Sequence, residues 1–171
     1  MKLSRIFQIF IALIVVVSVA PLPAAEDPDL KWIADANGCK AVNPFPRPGE
    51  TVTWTGACVN GKMDGDGVMQ WLVDGKPDDR YEGRMSGGWA QGKGTLTRAD
   101  GGRYEGDWKN SLQEGNGRYE GADGAVYDGE WKAGQPHGVG QMRTPDGQVI
   151  SGHWTDGEFD GPIQDGNPNR I

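Results

Sequence analysis

The chain has 171 residues, enough for one domain of ordinary size, and carries 24 acidic against 17 basic residues for a formal charge of −7. No polybasic run interrupts this excess. The balance excludes nucleic acid and anionic lipid headgroups as favoured partners.

The chain opens with Lys2 and Arg5, then an almost wholly apolar run from Ile6 to Ala20, then Pro23-Ala24-Ala25 and the acidic Glu26-Asp27. This is the layout of a secretory signal peptide over residues 1–25. The apolar run falls short of the ~20 residues that a membrane-spanning helix needs. An uncleaved anchor is the alternative. Cleavage is expected after Ala25 or one residue earlier, although no clean Ala-x-Ala is present. No cysteine follows the run, so a lipid-modified N-terminus is not expected. Loss of Lys2 and Arg5 leaves 15 basic residues against all 24 acidic ones, a formal charge of −9. Membrane binding is therefore not expected after cleavage.

Residues 26–50 read as an N-terminal cap. Asp27 suits an N-cap, Pro28 the first helical position and Gly38 the place just past a helix end. Leu30, Ile33 and Ala34 are spaced to share one helix face. The alternative is an irregular lead-in. Cys39 to Val42 has the length of a short strand. Asn43-Pro44-Phe45-Pro46-Arg47-Pro48-Gly49 reads as a turn or polyproline-like connection, since its prolines cannot feed a sheet ladder. Cys39 and Cys58 are the only cysteines. In an oxidising compartment this even count points to a disulfide, with two free thiols as the alternative. Such a bridge would contribute about 3 kcal/mol by the chain-entropy argument.

From Thr51 onwards the sequence is periodic. Gly56, Gly83, Gly106, Gly129 and Gly152 recur at steps of 27, 23, 23 and 23 residues. Two companion series keep the same steps: Gly61, Gly88, Ser111, Gly134, Gly157, and Gly65, Gly92, Gly115, Gly138, Gly161. Trp54, Tyr81, Tyr104 and Tyr127 stand two places before the first series. Such a period means one small unit stacked several times. In the unit from Tyr104 to Gly124, Tyr104, Gly106 and Trp108 alternate onto one strand face. Lys109 to Glu114 supplies a turn, and Gly115 and Gly117 alternate on the returning strand. Asp123-Gly124 is a turn signal before the next hairpin. The glycines leave a bare strip of backbone on which large rings can lie. The first unit is four residues longer than the others, with the excess around Asp74-Gly75-Lys76-Pro77-Asp78-Asp79-Arg80, read as a charged loop.

This pattern resembles the MORN repeat, roughly Tyr-x-Gly-x-Trp/Phe-x-x-Gly-x-x-x-Gly-x-Gly. Tyr127 to Gly140 is the fullest copy. Tyr104 to Gly117 has Ser111 for one glycine, and Tyr81 to Gly94 has Met85 at the Trp/Phe position. Trp54 to Gly67 replaces Tyr by Trp and carries Cys58 at the Trp/Phe position. Ile150 to Gly161 keeps Trp154 but ends before its second strand is complete. The resemblance implies an all-β fold: an elongated single twisted antiparallel sheet of stacked hairpins over residues 51–163, about ten strands, with a short helical or irregular cap before it and a polar tail at 164–171. MORN repeats occur in scaffolds, membrane-associated proteins and non-catalytic parts of enzymes, so the resemblance leaves the function open.

Catalytic constellations are wanting. Ser86 and Ser111 fall in expected turns, Ser151 and His153 flank Gly152, and His137 lies in a Gln-Pro-His-Gly turn. No Gly-x-Ser-x-Gly elbow exists. Glu82, Glu105 and Asp128 each follow a repeat aromatic and alternate to the solvent side, as do Asp107 and Glu130. A glycosidase needs one sheltered carboxyl with a raised pKa, which a single-layer sheet rarely offers. Asp64-Gly65-Asp66-Gly67 and Asp156-Gly157-Glu158 lack EF-hand spacing and its distal Glu. Two histidines in different units make no zinc site. No metal, cofactor or catalytic residue is expected.

Trp108, Trp131 and Trp154, with Tyr81, Tyr104 and Tyr127, stand at repeat positions and read as core, held in register by Gly83, Gly106, Gly129 and Gly152. Trp71, Trp89 and Tyr119 fall elsewhere in their units. Trp71 and Trp89, with Asp78, Asp79 and Arg80, are the candidate binding residues. The reading is an exported, periplasmic or secreted, non-enzymatic module that binds or scaffolds a protein partner. The alternatives are an accessory protein or weak hydrolase acting on cell-envelope glycan, and a membrane-associated lipid-binding protein. Intact mass of the protein recovered from its native host should correspond to a chain starting at or beside Glu26; a mass that retains Met1 to Ala25 would rule the leader out.

Overall fold

The computed structural model describes residues 31–163. The leader expected at 1–25, the tail at 164–171 and residues 26–30 of the cap lie outside the described residues. Thirteen strands form one sheet: β1 (Trp32–Ala34), β2 (Lys40–Val42), β3 (Glu50–Trp54), β4 (Ala57–Val59), β5 (Lys62–Val73), β6 (Lys76–Ser86), β7 (Trp89–Thr97), β8 (Arg103–Lys109), β9 (Leu112–Glu120), β10 (Val126–Lys132), β11 (Gln135–Arg143), β12 (Val149–Thr155) and β13 (Glu158–Gly161). From β5 to β13 each strand pairs antiparallel with the next. β1 pairs with β2, while β2, β3 and β4 all pair with β5. The one parallel contact is β2 on β5, at Lys40 and Lys62. The cap contributes β1 and β2, and β3 to β13 make eleven strands against the ten or so expected.

The expected cap helix is absent from its described part. Residues 32–34 form β1 instead, and Asp35 is the reason. Its carboxylate accepts the N–H groups of Asn37 and Cys39, at 2.9 and 2.8 Å, and folds the chain into a tight turn. Gly38, read as a helix C-cap, supplies the positive φ of +82° that this turn requires. The hairpin is then fastened to the sheet. Val42 N–H donates to Gly88 O at 2.7 Å, and Lys40 N–H to Gly61 O at 3.0 Å. Cys39 and Cys58 are disulfide-bonded with Cα atoms 5.8 Å apart, joining β2 to β4.

The repeating hairpins turn on two residues, not on six. Asn110 and Ser111 take φ of 51° and 61° between β8 and β9, and Ala133 and Gly134 do the same between β10 and β11. Two left-handed residues in a row match the twist of the paired strands. The first unit obeys the same rule. Asp74-Gly75 is its two-residue turn, and the four extra residues lengthen β5 and β6. Lys76 to Arg80 are therefore strand residues and not a loop.

Eight glycines form one row across the sheet: Gly67, Gly83, Gly94, Gly106, Gly117, Gly129, Gly140 and Gly152 pair in succession from β5 to β12. Each repeat tyrosine lies across this row. A Cβ on Gly117 would sit 2.5 Å from Cζ of Tyr104, and one on Gly140 at 2.5 Å from Cζ of Tyr127. Each phenol hydroxyl then donates to a backbone carbonyl at 3.0 Å: Tyr81 to Arg84, Tyr104 to Asp107, Tyr127 to Glu130. Trp54 keeps the arrangement, its indole donating to Ala57 O at 2.8 Å. The second ring of each repeat closes against the preceding unit. Trp108 donates to Gly94 O at 3.0 Å, Trp131 to Gly117 O at 2.9 Å, and Trp154 to Gly140 O at 3.2 Å.

Tyr and Trp alternate edge to face with centroids 5.0–5.3 Å apart, from Tyr81–Trp108 to Tyr127–Trp154. Each such pair contributes roughly 0.5–1.5 kcal/mol beyond its burial. Gly115 differs from its expected role. It does not extend the bare strip beneath a ring. It sits at φ +66° in an irregular stretch where the register slips between Gly106 and Trp108.

Burial raises the phenol pKa of all three tyrosines, with Asp66, Asp107 and Glu130 adding to it respectively; Tyr127 is pushed up to about 12 and the other two further. The unfolded phenol titrates near 10. Between that value and the folded pKa the native state holds more protons than the unfolded one, so stability falls as pH rises. Melting temperature should be flat below about pH 9 and drop steeply above pH 10, and Tyr127→Phe should remove one proton from that slope. A melt that is flat to pH 12 would contradict the burial of the phenols. At neutral pH, Gly140→Val should cost about 3 kcal/mol or more, because the Tyr127 ring must leave its seat. His137→Ala, at a half-buried site, should cost under about 1 kcal/mol. Thermal melts that reverse this order would refute the ring-on-glycine account.

Candidate functional site

The inner face of the sheet carries a groove of about 850 Å³. Its floor is Met69, Tyr81, Ala90, Leu96 and Trp108. One wall is the strap from Val42 to Arg47, and the far rim comprises the Ser111–Gln113 and Ala133–Gln135 turns. The strap runs irregularly because its alternate prolines deny it ladder hydrogen bonds. Phe45, held between Pro44 and Pro46, is 76% exposed. Its own N–H donates to the Asn43 side chain at 3.1 Å.

Polar contacts pin the strap to the sheet. Asn43 donates to the Glu50 carboxylate at 2.6 Å, and Arg47 N–H to the same oxygen at 3.2 Å. The Arg47 guanidinium bridges Glu50, at 3.4 Å, and Asp78. Hydrogen bonding to Asp78 lifts the Arg47 pKa above its ordinary value. Burial pushes the Asp78 carboxyl up, but the Asp79 N–H and Arg47 outweigh it and hold that carboxyl below its ordinary range.

Trp71 enters the groove because of the four extra residues. The register between β5 and β6 slips between Gln70 and Leu72. Gln70 fills the slip, donating its amide to Trp71 O, Asp78 O and Asp79 O at 2.9, 3.0 and 3.1 Å. Alternation along β5 puts Trp71 on the same face as Met69. Asp79 also lines the groove, with one carboxylate oxygen accepting Ala99 N–H at 3.0 Å. Arg98 stands exposed at the mouth.

The five candidate residues thus divide among three places. Trp71 and Asp79 line the groove, and Asp78 anchors its strap. Arg80 points to the other face, where it pairs with Glu82 at 2.8 Å. Trp89 opens β7 and stands edge-on to Trp32 in the cap, centroids 6.5 Å apart. Sequence reasoning missed Phe45, Leu96, Leu112 and Arg98. The one signal for Phe45 was its place between two prolines, which says that it is held extended but not what it faces.

The outer face is a field of paired charges. Arg103 meets Glu105 at 2.6 Å, Arg118 meets Glu120 at 2.7 Å, and Lys93 meets Asp107 at 2.8 Å. Glu82, Glu105 and Asp128 are exposed here, as their alternation requires. Exposed pairs of this kind add little to stability. The nucleophile candidates lie apart from one another, Ser111 and Ser151 hydrogen-bonded and His137 Nδ1 buried without a hydrogen-bond partner among the described residues. Ser111 Oγ accepts Ala90 N–H at 3.1 Å, Ser151 Oγ accepts from Gln141 at 2.9 Å, and His137 Nδ1 lies 3.6 Å from Asp156. Among the described residues no three His, Cys, Asp or Glu side chains are grouped to hold a metal ion.

A family model for the MORN repeat matches residues 58–71, 81–103, 104–126 and 127–149. The interval at 72–80 is the lengthened tip of the β5–β6 hairpin, and the shortened last unit from Ile150 lies beyond the matched segments. No curated protein matches the chain.

Proposed function

Because the chain belongs to the MORN-repeat family, whose repeats are known in protein- and membrane-binding modules, we propose that it is an exported, periplasmic or secreted module that binds a protein segment in the inner groove and catalyses nothing. The observation that carries this reading is the groove itself. It is an apolar trough with Phe45, Trp71, Leu96 and Leu112 along it, and Phe45 is largely exposed. A cleft of this size, mostly apolar with a few placed polar groups, is the usual form of a binding site.

Its acids favour binding over chemistry. Glu50 is taken up by Asn43 and Arg47, and Asp79 by Ala99 N–H. Each carboxylate thus holds part of the groove's own wall in place. A formal charge of −9 without the leader counts against an anionic membrane as the partner.

Photocrosslinking in cells from position 112, on the groove rim, should trap one protein, and from position 105 on the outer face it should not. Phe45→Ala with Trp71→Ala should lower that yield about tenfold, the loss expected when central anchors are removed, with the melting temperature nearly unchanged. Trp89→Ala should leave the yield intact. Equal trapping from both faces would place the site elsewhere. Turnover of an envelope glycan, abolished by Asp79→Asn or Glu50→Gln, would overturn the binding-only reading.

A further inference from the structure

One wall of the groove hangs from the cap. The strap from Val42 to Arg47 continues β2, and β2 with β1 makes a hairpin of three residues a side. A hairpin that short is unstable by itself. Lys40 N–H to Gly61 O and Val42 N–H to Gly88 O carry it to the sheet. Its pairing with β5 is one residue long, and β2 buries Ala41 and Val42 alone. Asn43 N–H donates to Lys31 O at 2.9 Å, so hairpin and strap form one piece. At the strap's far end Arg47 reaches across to Asp78 with its side chain 43% exposed, and such pairs hold weakly. The covalent tie is the Cys39–Cys58 bond, across a sequence separation of 19. A cross-link of that span disfavours the open chain by roughly a hundredfold on the chain-entropy argument.

The repeat sheet does not lean on this piece. β3 and β4 pair with β5 directly. Trp54 on β3 covers the first glycine of the row, where a Cβ on Gly67 would sit 2.5 Å from its Cη2. From Tyr81 to Trp154 each ring packs on its neighbours along the file. Trp32 on Trp89 is the one ring contact from the β1–β2 hairpin to the repeats among the described residues. Contacts confined to neighbours let an end piece open while the rest stays folded.

We propose that the groove is a redox-conditional site: its wall closes only when Cys39 and Cys58 are bonded. The reduced chain is a folded repeat sheet with its strap released, and oxidation makes it competent to bind. This rests on the reading of the groove as the binding site. Cys58 is exposed while Cys39 is 1% exposed, so Cys58 is the sulfur that meets another molecule. Its thiolate attacks the disulfide of an oxidant, forming a mixed disulfide and releasing one oxidant thiolate. The Cys39 thiolate then attacks Sγ of Cys58 and expels the second. Two protons leave the cysteines and two electrons pass to the oxidant. A dithiol runs the exchange backwards. A chain made in a reducing compartment thus carries no formed groove until it reaches an oxidising one.

The test compares the purified oxidised chain with the same chain reduced by dithiothreitol. On reduction, hydrogen exchange at the Val42 and Asn43 amides should quicken at least about tenfold, while β8 to β11 keep their protection. Reoxidation should restore the slow rate. In cells, Cys39→Ser with Cys58→Ser should lower crosslinking from position 112 at least about tenfold, with the main melting transition of the sheet retained. If that variant is degraded in cells, exchange on the reduced chain decides the matter. Unchanged protection of the strap on reduction would overturn the proposal, and so would loss of protection throughout β8 to β11. Equal trapping by wild type and the serine variant would overturn it and leave the groove as the binding site. A wild-type chain that traps nothing from position 112 would instead remove the groove reading, and with it the binding half of the proposal, whatever the strap does.

Discussion

A phenol ring lying flat across two paired glycines is the contact on which the sheet depends. Tyr81, Tyr104 and Tyr127 each cover a step of the glycine row and are nearly fully buried by it. A single-layer sheet has no second layer to hide its core side chains. Here the backbone itself is the opposing surface, which only a residue without Cβ permits. The hydroxyl finds a carbonyl three residues on, so the ring is buried without stranding its polar atom. Trp108, Trp131 and Trp154 then lock each unit to the one before. The core is a one-dimensional file of rings, and stability is shared between neighbours.

Both ends of such a file need a cover. At the N-terminal end the β1–β2 hairpin, Trp32 against Trp89 and the Cys39–Cys58 bond provide it. Trp54 substitutes for tyrosine there with the same hydrogen bond. At the other end Phe159 stands against Trp154 at 5.3 Å, but the strand beside it is only four residues long.

The groove arises where the repeat is violated. Four residues added to one hairpin lengthen β5, and its regular alternation from Met69 then carries Trp71 on the inner face. The proline-bound strap then makes a wall over that face, fastened by Arg47 to Glu50 and Asp78. A perfectly regular MORN sheet would carry only its rings there.

The sequence by itself determined the repeat, its register, the ring and glycine positions and the disulfide partners, because these are local or strictly periodic. A 23-residue step repeated from Gly83 to Gly152 admits one stacking. Alternation alone assigned Glu82, Glu105 and Asp128 to the solvent side. Only the tertiary structure decided the cap and the groove. Asp27, Pro28 and Gly38 carry helix-end chemistry, yet Asp35 and Gly38 serve a β-turn equally well, and the hydrogen bonds from Val42 and Lys40 to Gly88 and Gly61 tip the balance. Trp71 and Trp89 looked alike as unmatched aromatics. Their long-range neighbours separated them: the strap from Val42 to Arg47 folds over the face that carries Trp71, and the β1–β2 hairpin brings Trp32 against Trp89.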